Sequence, residues 1–379
     1  MSAVFNFTFV PWFRSVAPYI HMHRGKTFVV AIAGEAIAAG KLPNLAQDLA
    51  LIQSMGVRVV LVHGFRPQVN EQLAAKGHVP KYSHGMRITD SVALDCAQEA
   101  AGQLRYEIEA AFSQGLPNTP MAGATVRVIS GNFITARPVG ILDGIDFQSS
   151  GLVRKVDVAG ITQTLAAGSM VLLSPFGFSP TGEAFNLTME EVATSVATAL
   201  QADKLVFVTE TPGLRLRPTE APSEDNPIDT ELPLDAAEKL LSILPATTDP
   251  SDLAFYLQHC VKACKGGVER SHILPFAVDG ALLLEVYTHD GIGTMVVDEK
   301  LEELRGRKAE IDGSKLLDLE KKLVVDNKPR SKFITDFIAK SSKNSLVLFQ
   351  NIKDSYGKRI YDRLRELTTD KEIYYVDGS

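Results

Sequence analysis

The chain has 379 residues, 45% hydrophobic and 22% charged. It therefore exceeds the roughly 250–300 residues at which one core stops growing, and at least two folding units are expected. A net charge of −6 over that length gives no basis for binding nucleic acid or an anionic membrane. Three cysteines, Cys96, Cys260 and Cys264, are too few for a disulfide framework and suit a reducing compartment. No apolar run reaches the ~18 residues that span a bilayer. Residues 1–12 are apolar and aromatic but lack leading basic residues and a small-residue cleavage site, so a cytoplasmic location is expected.

In chain order, residues 14–23 read as a short helix, and 27–33 as a β-branched, apolar first strand ending at Gly34-Glu35-Ala36. Residues 44–55 have apolar positions at helical spacing, and 57–62 form a second strand. A helix follows at 91–113, a pair of strands at 125–130 and 133–138, a helix at 156–167, a buried strand at 170–174, a helix at 190–200 and a strand at 204–209. Helices at 233–244 and 252–264 and closing strands at 271–274 and 282–287 complete the pattern. The interval 212–233, rich in Pro, Thr, Glu and Asp, reads as an exposed excursion. This alternation predicts an α/β fold, a mainly parallel sheet covered by helices on both faces. Beyond about 305 the composition shifts to dense Lys and Asp/Glu, followed by a helix at 333–339, a strand at 345–350, a helix at 355–367 and a strand at 373–376.

Three places invite a chemical reading. At 57–70 an apolar run breaks at His63-Gly64 and restarts as a helix. That is either an ordinary turn needing glycine, or a strand delivering its end to a ligand beside free helix N–H groups. Arg24-Gly25-Lys26-Thr27 contains Gly-Lys-Thr, but a phosphate loop needs a glycine five positions before Gly25, where Ile20 stands, and a strand before it rather than after. At 280–296 one carboxylate, Glu285, lies inside an apolar stretch followed by the glycines Gly291 and Gly293. A buried acid needs a cationic partner, from the protein or from a guanidinium ligand. The other reading is an edge strand with Glu285 facing water. His272 is either a partner or a satisfied core histidine. Cys260 and Cys264, four apart, have no further ligands to suggest zinc, and no metal is expected.

Five stretches together carry a resemblance: Val-Val-Ala-Ile-Ala-Gly-Glu-Ala-Ile at 29–37, Leu-Val-His-Gly-Phe-Arg-Pro-Gln-Val-Asn at 61–70, Phe-Asn-Leu-Thr at 185–188, and the runs 204–213 and 280–296. Over residues 10–305 the chain resembles the amino-acid-kinase-like domain of bacterial N-acetylglutamate synthase, an acyltransferase that transfers acetyl from acetyl-CoA to glutamate in arginine biosynthesis. The resemblance implies an amino-acid-kinase-like sandwich and L-arginine as allosteric inhibitor. Glu285 would hold its guanidinium, His272, Gly291 and Gly293 would frame it, Lys204 would meet its α-carboxylate, and Tyr19 would close the pocket. Gly34, His63, Gly64, Arg66 and Asn186 would form a vestigial ligand turn. Residues 1–25 would be an oligomerisation arm, with a homo-oligomer, a hexamer in the family, as the implied state. An apolar face of Phe7, Val10, Trp12 and Phe13 suits a partner surface, although a helix packed on its own domain would look the same.

The related N-acetylglutamate kinase has a lysine where Ala31 stands and a glycine where Ala33 stands, so phosphoryl transfer lacks its main stabilising cation and is disfavoured. The departures are as informative. No Gln/Arg-x-x-Gly-x-Gly/Ala cradle for coenzyme A follows Arg305, so no catalytic residue is assigned, no cofactor is expected on this chain, and acetyl-CoA is the family's cosubstrate only. Residues 306–379 are instead similar to a fragment of the second motor domain of phage-type superfamily-two helicases, without the parts that hydrolyse ATP. The alternative function is a non-catalytic arginine-binding regulatory module.

Overall fold

Alternation along single strands sets up the architecture. In the strand Thr27–Ile32, Phe28, Val30 and Ile32 enter one apolar cluster, while Val29 and Ala31 enter the other. The strand is thus buried on both faces, as a central strand of a parallel sheet must be. A computed structural model describes residues 2–114, 123, 126–214, 228–244, 253–288 and 291–298, with side chains from residue 10 onward. The chain divides into units Met1–Glu299 and Lys300–Ser379. The second unit, with the helices and strands expected beyond 305, lies outside the described residues.

The main sheet has eight strands in the order Glu231–Pro233, Thr294–Val297, Arg270–Pro275, Lys204–Thr209, Thr27–Ile32, Arg58–His63, Met170–Leu173 and Val128–Ser130. Neighbours run parallel except Arg270–Pro275 with Thr294–Val297. Helices Leu42–Ser54, Ser91–Ser113 and Ala281–Tyr287 supply side chains to the first cluster, and Met189–Leu200 and Leu253–Lys265 to the second. This is the predicted α/β sandwich with a mainly parallel sheet. A second sheet, ordered Ala184–Asn186, Phe176–Phe178, Ile134–Pro138 and Gly151–Val156, is an addition.

Three expectations need correction. The segment read as a closing strand at 282–287 is the helix Ala281–Tyr287, opened by Gly280 in the left-handed conformation at φ 71°. An unbroken run of Leu, Val and Tyr has no period to tell a short buried helix from a buried strand. The closing strand is Thr294–Val297. The first helix runs Ser2–His23, through Pro11 and Pro18, which sequence rules treat as breaks. Finally, the two strands expected at 125–138 do not pair with each other: Val128–Ser130 joins the main sheet, and Ile134–Pro138 pairs with Gly151–Val156.

Among the described residues, no helix is long and apolar enough to cross a membrane, and no cluster of His, Cys, Asp and Glu could hold a metal ion. Cys260 and Cys264 are buried thiols, and Cys264 Sγ donates to Ser271 Oγ at 3.4 Å.

Candidate functional site

Two polar constellations lie at opposite ends of the central strands. The first is built on the N-terminal halves of two neighbours. Lys204 opens its strand beside Phe28 and Arg270, and His272 lies in the next strand, paired with Val206. Lys204 Nζ approaches His272 Nε2 at 3.1 Å and stands 5.9 Å from the Phe28 ring centre. On its other side, His272 Nδ1 meets Glu285 Oε1 at 2.7 Å. These partners settle the tautomer: the ammonium donates to Nε2, so Nδ1 carries the proton and donates to the carboxylate. The result is a buried chain of cation, neutral imidazole and anion.

Glu285 sits on the helix, not in a strand, and its side chain is 5% exposed, so it does not face water. Its Oε2 accepts from the Ile292 amide at 2.8 Å and the Gly293 amide at 3.2 Å. Burial pushes its carboxyl up, but the His272 and backbone donors outweigh that and bring it down to about 2. His272 is itself driven down to about 4 by burial and then by Lys204, so at neutral pH the pair is a carboxylate beside a neutral ring, not a salt bridge. The glycines are sterically required. Gly291 has φ +61° and a Cβ there would meet Glu285 Oε2 at 2.6 Å, while a Cβ on Gly293 would collide with the Ile273 carbonyl.

Tyr19 packs against the apolar cluster that contains Val286 and Tyr287. Beside this constellation, sequence reasoning missed His23. It docks the end of the first helix on the Glu285 helix through His23 Nε2 and the Val286 carbonyl, at 3.2 Å. Its ring lies edge-on to Phe28 and Tyr287. Burial, with Lys204 nearby, lowers its pKa to about 3. Two histidines near the end of a predicted helix carried no signal for that contact.

The second constellation lies where Thr27–Ile32 and Arg58–His63 end. The two following turns touch backbone to backbone: a Cβ on Gly64 would meet the Gly34 nitrogen at 2.7 Å. They floor a cleft of about 600 Å³ of open volume, lined among others by Gly34, Gly64, Arg66 and Asn186. His63, by contrast, is fully buried beneath it, bonded through Nε2 to Ser174 Oγ at 2.8 Å, and burial lowers its pKa to about 4. Arg66 Nε donates to Glu35 Oε1 at 2.9 Å, and Arg66 Nη2 reaches the same oxygen. Glu190, in the first turn of the helix Met189–Leu200, is pushed up to about 7 by burial. Tyr256 lies beside it, its hydroxyl raised by burial and by that carboxylate. Ala31, where a kinase would place its lysine, is buried in the second apolar cluster. The cleft mouth at Ala33 offers no cation from that strand.

Comparison with known proteins identifies the family. Residues 26–275 match the amino acid kinase family. Over 297 residues the chain is 54% identical to an amino-acid acetyltransferase of Ralstonia nicotianae, covering 78% of this chain and 64% of the relative. N-acetylglutamate synthase from Neisseria gonorrhoeae, solved with coenzyme A and L-arginine, superposes with a TM-score of 0.68 at 38% identity, over 77% of this chain and 66% of that one. The same enzyme with coenzyme A and N-acetyl-glutamate gives the same TM-score, with 64% of it covered. The chain thus spans about two thirds of the length of the relatives it matches. It belongs to the amino acid kinase family, and its curated relatives are amino-acid acetyltransferases.

Proposed function

We propose that this chain supplies the arginine-sensing, kinase-like part of an N-acetylglutamate synthase, whose whole-protein reaction transfers acetyl from acetyl-CoA to L-glutamate. The observation that carries the reading is the buried Lys204, His272 and Glu285 chain. It presents a cation and an anion one imidazole ring apart. That spacing suits a ligand with a carboxylate at one end and a guanidinium at the other. Glu285 Oε1 accepts only the His272 proton in the described contacts and keeps a lone pair for a guanidinium N–H. Lys204 would take the α-carboxylate, Gly291 and Gly293 let backbone approach the ligand, and Tyr19 would close the pocket. The relative solved with L-arginine supports the same ligand.

Glu285→Gln keeps the size and removes the charge. Calorimetric titration of L-arginine is expected to lose at least about tenfold in affinity, the scale of one charge-assisted hydrogen bond. Unchanged affinity in a variant with unaltered thermal unfolding would discard the pocket. A regulatory module that binds arginine without catalysis of its own is the second reading, resting on the same Lys204, His272 and Glu285 chain. Acetyl transfer by the purified chain would decide for the synthase, and arginine binding without turnover for the module. A kinase is opposed by Ala31, which puts a methyl group where phosphoryl transfer needs a charge. The long first helix, with Trp12 58% and Phe13 49% exposed, is the face we assign to assembly with further copies, a hexamer in the family.

A further inference from the structure

Two short hairpins meet at their tips. Tyr82–Ser83 pairs with Met86–Arg87, and Ile141–Leu142 pairs with Ile145–Asp146, each across a two-residue loop. Both loop residues have positive φ in each case, 50° and 73° at His84 and Gly85, 49° and 79° at Asp143 and Gly144, as the tight hairpin turn requires. The side chains of His84 and Asp143 thus leave facing tips, and His84 Nε2 meets Asp143 Oδ2 at 2.9 Å. On the other side of the ring, Ser83 Oγ lies 2.9 Å from His84 Nδ1. A carboxylate can only accept, so in the neutral ring Nε2 carries the proton and Nδ1 is the acceptor to which the Ser83 hydroxyl donates. The ring is held in place, with its centre 6.2 Å from that of the buried Phe147. The next residue, Gly85, packs so closely on Phe255 that a Cβ there would lie 2.8 Å from that ring.

Stability does not account for this chain of contacts. The side chains of His84 and Asp143 are 41% and 74% exposed, and an ion pair so open to water adds little. Two non-glycine residues in the left-handed region carry a cost of their own. The order of groups is that of an activated nucleophile: a hydroxyl on one imidazole nitrogen, with the other nitrogen held by a carboxylate. We propose that Ser83, His84 and Asp143 form a surface acyl-transfer site for small activated esters, with Ser83 as nucleophile, His84 as general base and Asp143 as the positioning residue. Ser83 Oγ bonds to the acyl carbon while its proton passes to His84 Nδ1. The bond from that carbon to the leaving oxygen then breaks, and the proton follows the leaving group. Water attacks the Ser83 ester in turn and gives a proton to Nδ1, and the acid departs as Ser83 Oγ takes that proton back. The tips are exposed, so a small acyl group on a good leaving group is the class that can react. The site uses none of Lys204, His272 and Glu285, and its test is blind to the arginine reading.

Incubating the full chain with p-nitrophenyl acetate tests the proposal, read as nitrophenolate release and as acetyl mapped by peptide mass spectrometry. Acetyl is expected on Ser83, with release at least about tenfold faster than from Ser83→Ala, below the full range that a positioned base can supply. His84→Asn places Asn-Gly in the turn, the pair such hairpins prefer, so the fold is kept. Its release is expected to fall to the Ser83→Ala level, and added imidazole to restore it beyond the same addition to Ser83→Ala. Asp143→Asn is expected to lose most of the rate, and Asp143→Glu, which keeps the charge, to recover most of it. Acetyl on lysines alone, or wild-type release from Ser83→Ala, overturns the site. A loss in His84→Asn with none in Ser83→Ala makes the imidazole itself the nucleophile and overturns the role of Ser83. Wild-type release from Asp143→Asn, or a Glu variant no faster than the Asn one, overturns the role of Asp143.

Discussion

At the scale of single residues, buried imidazoles dominate. Four histidines are held neutral mainly by burial, His23 and His259 at about 3 and His63 and His272 at about 4, against 6.5 in the open chain. A lowered folded value means that stability is fully present above 6.5 and drains as acid charges the unfolded rings. Each contributes a slope of about 1.4 kcal/mol per pH unit below that point. Glu190 acts in the opposite sense. Its carboxyl is raised to about 7, so the stability it contributes is fully present below 4.5 and is lost as pH rises through about 7. The imidazoles outnumber it, so urea midpoints are expected to fall steadily from pH 7 to pH 5. A flat profile over that window would show that these rings are solvated. The value of Lys26 is likewise set by its neighbour Asp203, at 2.7 Å, first through a hydrogen bond that raises it, and Asp203, which also accepts from the Thr27 amide at 2.8 Å, ties the start of the first strand to the strand Lys204–Thr209.

At the scale of elements, the two turns after Thr27–Ile32 and Arg58–His63 act as one unit because their glycines touch. Gly64→Ala would press a methyl group on the Gly34 nitrogen at 2.7 Å and on Met189 Sδ at 3.3 Å. The backbone contact cannot swing aside, so a loss of about 1–3 kcal/mol is expected, measured by chemical denaturation. Wild-type stability in that variant would mean that the turns part without cost. Elements with a clear period were legible in the sequence: Leu42–Ser54, Ser91–Ser113 and the strands of the sheet centre emerge from apolar spacing alone. The helix Ala281–Tyr287 was not, because its apolar run has no period and its identity is set by packing against the Leu42–Ser54 helix. The same limit hid part of the candidate site. His272, Lys204 and Glu285 could be named from residue type and resemblance, whereas His23 and Tyr256 become visible only when distant segments meet. Long-range contacts such as the 263-residue separation of His23 and Val286 leave no local pattern.

At the scale of the molecule, we infer that the kinase-like part is self-sufficient and ends near Arg305. A chain truncated after that residue is expected to melt cooperatively and bind L-arginine with the affinity of the full chain, within about twofold by calorimetry. Aggregation of the shorter chain would refute that boundary. The remaining consequence comes from the strand Lys204–Thr209, whose first residue serves one constellation while its neighbour Ala33, bonded to the Val208 carbonyl at 3.0 Å, borders the other. Both ends hang on a single hydrogen-bonded ladder that cannot melt in halves. An occupant of one end would then draw on the same cooperative transition as the other, and heating a sample loaded with L-arginine should give one thermal step whose midpoint rises with its concentration.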